Sequence, residues 1–454
     1  MQTKTNKKLR KVFCASKWRC FVFFALIVTS DLISNNKDVI YESSLTISNR
    51  WIAECLELTR NCVGYSAPVS ARSLAYMSIG LYECGVENQT QYNSLSSQLN
   101  GYLRTVWKKE TEKIYWPHVY NYFSYELVKL LYINMPPSNL LKVEALKDSI
   151  YKCYNTTINK KIINVSENYA NRLFLEYTKW MLMDGGNECY NKNFPSKYIQ
   201  IKCDSCWEKT VPGYLKALQP YWGNNRLMHK SNSSIINLMK PPVFSTDSNS
   251  SFYKEALNLF RDHNLKLKSS EIIAEYWDDA AGYSSTPTGH QFSLAMQLAK
   301  KYNFELGKTL HLYAALGISI NDAFIACWKG KYKFNLIRPI SYIQKYISPN
   351  FNTLIPTPPF PEFPSGHSMQ SGAAGEIYKY FLSDTLKITD NNNQYRVDIY
   401  GKPREFNNIS EMVSEISKSR FYGGIHYMNT LNLSVEYGKQ VGQNIITNIN
   451  FLKK

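Results

Sequence analysis

Residues 361–372, PEFPSGHSMQSG, deliver a serine, a glycine and a histidine directly after a proline-rich lead-in. Proline cannot continue a helix, whereas Ser365 can cap one, and the following residues favour a helix. A helix that begins here presents free backbone N–H groups and the positive end of its dipole, which together bind anions. His367 would then lie beside the anion. Taken alone, the four residues Pro-Ser-Gly-His are explained better by an ordinary cap with a surface histidine.

Two further stretches supply cations and a second histidine. In WKGKYKFNLIRPISY, Lys331 and Arg338 are seven residues apart, so that on one helix they would share a face. Because Pro339 disfavours helical geometry at the residue before it, we expect that helix to end near Arg338. In SKSRFYGGIHYMNT, Arg420 and His426 bracket two glycines, which allow the backbone to bend or to approach a ligand closely.

Each of these stretches alone is explained by a solvated basic face or by a buried structural histidine. Together they offer three fixed cations, a nest of backbone N–H groups and two histidines. A tetrahedral oxyanion such as phosphate or vanadate needs this combination, with cations and N–H donors on its oxygens and a histidine able to bond the central atom. The three stretches therefore predict an oxyanion site.

The elements that must position these residues have a helical period. Segments such as SARSLAYMSIGLYECG and LGKTLHLYAALGISINDAFIACW carry apolar residues at three- and four-residue intervals, and NQYRVDIYG is one short candidate strand. The pattern predicts an all-α, multi-helix protein with more than ten helices. A break at 240–251 divides it into a helical region at 31–240 and a C-terminal helical domain at 252–450 that contains the oxyanion site. A second break, at 347–366, is a long Pro-rich loop that leads into that site.

The N-terminus combines basic residues with the apolar run CFVFFALIVTS, residues 20–30. Eleven such residues fit the core of a signal peptide better than a bilayer span, although a short signal anchor is the alternative. We therefore expect residues 1–30 to be a signal peptide and the protein to be secreted or extracytoplasmic. Continuously apolar segments long enough to cross a membrane are not evident elsewhere, so we expect no integral membrane domain.

Ten cysteines are present, and two of them fall in the signal segment. An even remainder behind such a segment is compatible with disulfides, whose connectivity the sequence leaves open. The lone pair Cys203 and Cys206 gives little support to a redox or zinc role. The remaining cysteines are Cys55, Cys62, Cys84, Cys153, Cys189 and Cys327.

The formal net charge is +17, and seven of the positive charges precede the first acid, Asp31. The others are spread without long runs, which argues against a nucleic-acid partner and suits a solvated surface or an anionic ligand. Adjacent carboxylates at Asp278 and Asp279 could bind a cation, but neighbouring helical residues point about 100° apart, and capping or solvation explains them better.

The order Lys-x6-Arg-Pro, Pro-Ser-Gly-His, Ser-Arg-x5-His resembles the signature of the superfamily of vanadium-dependent haloperoxidases and type-2 phosphatidic acid phosphatases. The lead-in PPFPEFPSGH and the N-terminal stretch APVSARSLAYMSIGLYE resemble the haloperoxidase branch, and TPTGH, which ends at His290, resembles a stretch of that branch without a clear role. The resemblance extends from about residue 50 to 450. It implies two four-helix bundles around one oxyanion pocket, with vanadate as cofactor.

The resemblance also implies roles for individual residues. Lys331, Arg338 and Arg420 would hold the oxyanion oxygens, with the Ser365 hydroxyl and the Gly366 N–H as further donors. His426 would bond vanadium, His367 would act as acid and base when hydrogen peroxide binds, and Lys331 would polarise the bound peroxide. A halide would be oxidised beside Trp328 and Phe360. Which halide, which organic acceptor and which oligomeric state apply is left open by the sequence.

One position departs from the pattern. The superfamily continues His-x3-Asp, but the fourth residue after His426 is Thr430. Threonine brings no charge to orient the imidazole, so we expect a weaker nucleophile, which counts more against phosphatase turnover than against vanadate binding. The alternatives are a soluble acid phosphatase that forms a phosphohistidine at His426, and a degenerate, non-catalytic member.

Overall fold

The structure is a computed structural model that describes residues 43–105, 107 and 113–453. The predicted signal peptide, residues 1–30, lies outside these residues. In the described part the chain forms fourteen α-helices and one two-stranded sheet. The helices are α1 Ser44–Asn61, α2 Ala67–Gly85, α3 Trp116–Leu131, α4 Pro137–Lys152, α5 Lys160–Leu182, α6 Ile235–Leu238, α7 Ser251–Asn264, α8 Lys268–Tyr276, α9 Thr286–Lys301, α10 Leu306–Phe334, α11 Pro339–Tyr346, α12 Gly366–Leu382, α13 Ile409–Tyr422 and α14 Met428–Asn448.

The prediction of an all-α fold is confirmed, but the candidate strand NQYRVDIYG is wrong. Its residues form turns, and its apolar members Tyr395, Val397 and Tyr400 are 64%, 99% and 49% exposed. A strand needs neighbours that cover one face, and this stretch has solvent on both. The sheet instead pairs the flanking strands β1 Ile388–Asp390 and β2 Arg404–Phe406 in antiparallel register.

Helix α10 lies in the core because it is apolar around most of its circumference. It packs against α2 from the N-terminal region and against α12 from the C-terminal region. Among the described residues, α10 is the one helix with the length and mean hydropathy, 1.4, of a membrane span, and the whole of that apolar window is buried inside the protein. The domain boundary between 240 and 252 stays a prediction.

Helices α12 and α14 approach each other closely through glycines. A Cβ atom at Gly438 would lie 2.0 Å from the carbonyl oxygen of Met369, and one at Gly372 would lie 2.4 Å from that of Val435. Both distances are shorter than any real contact, so only glycine allows this backbone packing. The close approach fixes the N-terminal turn of α12 relative to the N-terminal turn of α14, which follows His426.

Candidate functional site

The N-terminus of α12 is built as the sequence predicts. Ser365 is the N-cap, with its Oγ accepting from the Ser368 backbone N–H at 3.4 Å and from the Ser368 hydroxyl at 3.0 Å. The Ser365 N–H donates to Ser434 Oγ on α14 at 2.9 Å. The N–H groups of Gly366 and His367 occupy the first turn, where a helix provides no acceptors. This turn is therefore ready to receive an anion.

Lys331 and Arg338 do not share one helix, which differs from the expectation. Helix α10 ends at Phe334, and its C-cap Asn335 adopts the left-handed conformation, with φ of 51°. Arg338 is instead the extended N-cap of α11, with Pro339 in the first helical position. The helix ends earlier than Pro339 alone requires because Asn is one of the few residues that tolerates the left-handed C-cap.

The turn between Lys331 and Arg338 is held by backbone hydrogen bonds to another segment of the chain. The backbone N–H of Trp207 donates to the Asn335 carbonyl at 2.7 Å, and the backbone N–H of Ile337 donates to the Ser205 carbonyl at 2.8 Å. A disulfide joins Cys203 to Cys206, so the loop that makes these hydrogen bonds is itself closed. The Cys-x-x-Cys pair is thus a structural feature beside the site, and we call residues 203–207 the disulfide loop.

Lys331 is fully buried, and its ammonium donates to the carbonyls of Pro361, at 2.9 Å, Glu362, at 3.1 Å, and Pro364. The ammonium also lies 4.8 Å from the ring centroid of Phe360. Burial lowers the pKa of Lys331 to about 7. Its three donors thus hold the backbone that leads into α12, and its role toward an oxyanion stays a prediction.

Arg338 is fully buried beside the same lead-in. Its Nε donates to the Phe360 carbonyl at 2.9 Å, and its Nη1 donates to the Ile425 carbonyl at 2.8 Å and lies 3.2 Å from His426 Nε2. Burial lowers its pKa to about 10, so the guanidinium stays charged at neutral pH. Its Nη2 is buried and has no hydrogen-bond partner among the described residues.

Arg420 reaches the site from α13. Its Nη2 donates to the Ala274 carbonyl at 3.0 Å, and its Nη1 lies 3.5 Å from Asp278 Oδ1. Burial lowers the pKa of Arg420, and Asp278 opposes that effect. Asp278 is thus an ion-pair partner of a site cation, which the sequence did not indicate.

The neighbouring Asp279 lines the same cavity and pairs with a buried histidine. It faces His290 Nδ1 at 2.9 Å, and Asp390 faces His290 Nε2 at 2.7 Å. Burial alone would lower the pKa of His290, but the two carboxylates raise it to about 10. The ring of Trp277 stacks on His290, with centroids 4.6 Å apart. His290, for which the sequence offered no role, therefore anchors the segment that carries Asp278.

His426 has a charged partner that the sequence analysis missed. Its Nδ1 lies 2.8 Å from Glu362 Oε1, and both residues are buried. A carboxylate accepts at Nδ1, and the Arg338 guanidinium can only donate at Nε2. These two contacts assign the tautomer with the proton on Nδ1 and a lone pair on Nε2. Burial and the charge of Arg338 hold the pKa of His426 well below its usual range.

The expectation that His426 lacks a carboxylate because position 430 is threonine is therefore wrong. Thr430 donates through Oγ1 to Glu362 Oε2 at 2.9 Å, so it supports the acid instead of replacing it. A weak signal was present in the sequence, since Glu362 is an acidic residue inside the apolar lead-in PPFPEFPSGH. Its pairing with a histidine 64 positions away could not be read locally.

His367 faces the cavity from the first turn of α12. Its ring interacts with the backbone of Trp277 and Asp278, while its Nε2 is buried and has no hydrogen-bond partner within the described part of the chain. Burial and the charge of Arg420 hold the pKa of His367 well below its usual range. A neutral imidazole with a free ring nitrogen is suited to accept a proton.

Four of the predicted residues, Gly366, His367, Arg420 and His426, line one cavity of about 250 Å³ together with Trp328 and Phe360. Lys331, Arg338 and Ser365 lie behind this wall, where they contact its backbone and His426. The lining also includes the apolar residues Pro356, Pro358, Pro359 and Leu218, which we call the proline wall, and the acids Asp278 and Asp279. Larger cavities of about 390 and 440 Å³ lie elsewhere but are lined by no histidine.

The donor set fits a vanadate-sized oxyanion better than a bare cation. Arg338 Nη2 and His367 Nε2 are buried polar atoms that nothing in the described chain satisfies, and a bound oxyanion would give both of them a partner. The described residues contain no group of three or more His, Cys, Asp or Glu side chains able to hold a metal ion. Cations, first-turn N–H groups and one imidazole lone pair instead suit an anion.

Comparison with known proteins agrees with this fold. Residues 311–453 match the family model described as the VCPO second helical-bundle domain. A bacterial vanadium-dependent iodoperoxidase superimposes with a TM-score of 0.80 and 28% identity, over 90% of this chain and 97% of that one.

A bacterial vanadium-dependent chloroperoxidase shares the fold in two structures. The holo form has a TM-score of 0.61 at 14% identity, over 91% of this chain and 94% of that one. The apo form has a TM-score of 0.59 at 13% identity, over 84% and 94%. Among curated protein sequences, none matches the chain.

Proposed function

Since the chain belongs to the vanadium haloperoxidase superfamily, we propose that it oxidises a halide with hydrogen peroxide in a vanadate-dependent reaction. One observation carries the proposal. His426, with a lone pair on Nε2, and His367, whose buried Nε2 has no partner in the described chain, line one cavity, and directly behind His426 lies Arg338, whose buried Nη2 is likewise without a partner among the described residues. Vanadate, when bound, supplies a Lewis acid that activates hydrogen peroxide toward a halide.

The chain's own groups then have distinct tasks. Arg338, Arg420 and the Gly366 N–H hold the oxyanion oxygens, and His426 Nε2 provides the protein ligand. His367 Nε2 accepts a proton from hydrogen peroxide and returns it to the leaving oxygen. The Trp328 and Phe360 rings and the proline wall restrict water near the halide. The product is a hypohalous-acid-like species, and we propose secretion as its setting on the basis of the N-terminal segment.

Iodide is the first halide to test, because the structural relative at 28% identity is an iodoperoxidase. The chloroperoxidases, at 13% and 14% identity, support the fold alone. The assay compares metal-free protein with and without orthovanadate, using hydrogen peroxide and iodide, bromide or chloride, with His426→Ala as control. Vanadate-dependent oxidation that His426→Ala abolishes supports the proposal.

A soluble acid phosphatase is the second candidate, and the contact between Glu362 and His426 favours it. A carboxylate on Nδ1 makes Nε2 a better nucleophile toward phosphorus, with His367 able to protonate the leaving group. Hydrolysis of p-nitrophenyl phosphate in the absence of vanadate, without halide oxidation in its presence, would select this candidate. A protein with neither activity and no vanadate binding would be a degenerate member.

A further inference from the structure

The acid that orients His426 comes from a different segment than the superfamily pattern specifies. We infer that Glu362 is the positioning residue that fixes His426 with its proton on Nδ1 and its Nε2 lone pair toward the cavity, the task that the pattern His-x3-Asp gives to position 430. The inference rests on the proposed function for its benefit to catalysis, but it concerns an arrangement present in the protein without any oxyanion.

Both oxygens of Glu362 contact the start of α14. Oε1 accepts from His426 Nδ1 at 2.8 Å and from the Tyr427 N–H at 3.2 Å, and Oε2 accepts from Thr430 Oγ1 at 2.9 Å. Burial raises the pKa of Glu362 to about 7, and the charges of Arg338 and Lys331 oppose that effect. The three contacts hold the fully buried carboxyl group in one orientation. A carboxylate without freedom to rotate gives the imidazole a single direction and a single tautomer.

The backbone of Glu362 fixes the carboxylate relative to the other two stretches of the site. Its N–H donates to the Leu336 carbonyl at 2.9 Å, and its carbonyl accepts from the Lys331 ammonium at 3.1 Å. Leu336 lies in the turn that the disulfide loop pairs with. Glu362 therefore touches the segments that carry Lys331, Arg338 and His426, which a residue that only balances charge need not do.

Thr430 supports Glu362 in this role. Its side chain is fully buried, and its carbonyl accepts from Ser434 Oγ at 2.6 Å, so its position on the first turn of α14 is fixed. Its hydroxyl is uncharged and so brings no charge to the imidazole, but it donates to Oε2 of the acid that contacts His426. The pair Glu362 and Thr430 thus fills the place that one aspartate has in the pattern.

The test removes the carboxylate at position 362 and restores one at position 430. We expect Glu362→Gln to lower vanadate affinity, measured by calorimetry, by about 10- to 100-fold, the usual cost of losing a group that orients a ligand. The double variant Glu362→Gln with Thr430→Asp should recover affinity to within about threefold, a margin close to the scatter of such single-interaction effects. Glu436→Gln, which removes an exposed acid on the same helix α14, is the matched control and should bind as wild type.

A second readout requires no vanadate and no turnover. Nitrogen-15 NMR of histidine-labelled wild-type protein, with His426→Ala to assign the resonance, should show the Nδ1–H tautomer, and Glu362→Gln should shift the population toward Nε2–H. Unchanged vanadate affinity in Glu362→Gln, failure of Thr430→Asp to rescue it, or an Nε2–H tautomer in the wild type would overturn the inference. The tautomer measurement on the wild-type protein can overturn the inference even where Glu362→Gln does not fold.

These readouts separate the inference from the proposed function. A wild-type protein that shows the Nδ1–H tautomer but oxidises no halide contradicts the proposed function and leaves Glu362 as the positioning residue. Halide oxidation with an Nε2–H tautomer contradicts the inference alone.

Discussion

Arg338 Nη1 lies 3.2 Å from His426 Nε2, so the guanidinium occupies the nitrogen that is to bond the oxyanion. Nη1 also donates to the Ile425 carbonyl, and the neighbouring Nη2 has no partner among the residues described. An arriving oxyanion can therefore take the His426 lone pair while Arg338 keeps one backbone contact and gains oxygens for Nη2. The contact between Arg338 Nη1 and His426 Nε2 thus positions both groups, and we expect a bound oxyanion to replace it.

Substitution of Arg338 tests this exchange. Arg338→Lys keeps the charge but loses the planar group that contacts two carbonyls and His426 at once, so we expect vanadate affinity to fall by about 10- to 100-fold, or about 1.4–2.8 kcal/mol. Calorimetric titration of the metal-free variant provides the measurement. Arg261→Lys, at an exposed position on α7, is the control. Equal affinities in both variants would exclude Arg338 from the binding site.

His367 should affect turnover more than binding. His367 lines the cavity, and its ring interacts with the backbone of Trp277 and Asp278, not with a cation side chain, so His367→Gln removes a proton acceptor and leaves the cations in place. We expect the rate of halide oxidation to fall by about 10²- to 10⁴-fold, the usual contribution of a general acid–base. Vanadate affinity should change little. A parallel loss of affinity and rate would assign His367 to binding instead.

His290 should make stability depend on pH. Its folded-state pKa of about 10 lies above the ordinary value of 6.5, so the stabilisation is complete below pH 6.5 and is lost as the pH rises toward 10. The difference in free energy of unfolding between wild type and His290→Gln should shrink by on the order of 4 kcal/mol across this window, at about 1.4 kcal/mol for each pKa unit. Urea titrations at pH 6 and pH 9.5 measure it.

His311 provides the control of opposite sign. Burial lowers its pKa to about 3, and its ring stacks on Phe451 without an acidic partner among the described residues. Its contribution to stability is present above pH 6.5 and is lost as the pH falls below that value. The wild-type advantage over His311→Phe should therefore be constant from pH 7 to 9.5, where that of His290 declines. A parallel decline in both variants would contradict the assignment.

The disulfide loop should affect anion binding as well as stability. A cross-link that closes so short a loop contributes about 2 kcal/mol, yet this loop braces the turn between Lys331 and Arg338. We expect Cys203→Ser with Cys206→Ser to unfold at slightly lower temperature and to bind vanadate several-fold more weakly. Asp204→Asn, inside the same loop, is the control. Unaltered affinity in the double variant would show that the turn needs no brace.

The sequence predicted the parts of the site that depend on local physics. The Ser365 cap, the start of α12 and the helical class follow from proline, capping and periodicity, all of which act over a few residues. The all-α prediction is confirmed for the same reason. The helix end before Arg338 was displaced by four residues because the left-handed conformation of Asn335 is not dictated by its type alone.

The parts that were missed depend on contacts between distant segments. Asp278 meets Arg420, and Glu362 meets His426, only after α12, α13 and α14 have packed. The strand prediction for NQYRVDIYG was wrong for a related reason. Alternating apolar residues predict a strand only where another element covers one side, and here they are exposed in turns. Without knowledge of which segments pack together, the sequence shows neither that Asp278 and Glu362 pair with site residues nor that NQYRVDIYG stays exposed.

The relocated carboxylate has a consequence for recognising proteins of this kind. A search pattern that demands an acid four places after the histidine rejects this chain, although the charge is present 64 positions upstream. A filter that accepts either aspartate at the later place, or glutamate five places before the histidine of Pro-Ser-Gly-His, would retain such chains. Related sequences classified as inactive because they lack that aspartate should therefore be examined for a glutamate five residues before the histidine of Pro-Ser-Gly-His.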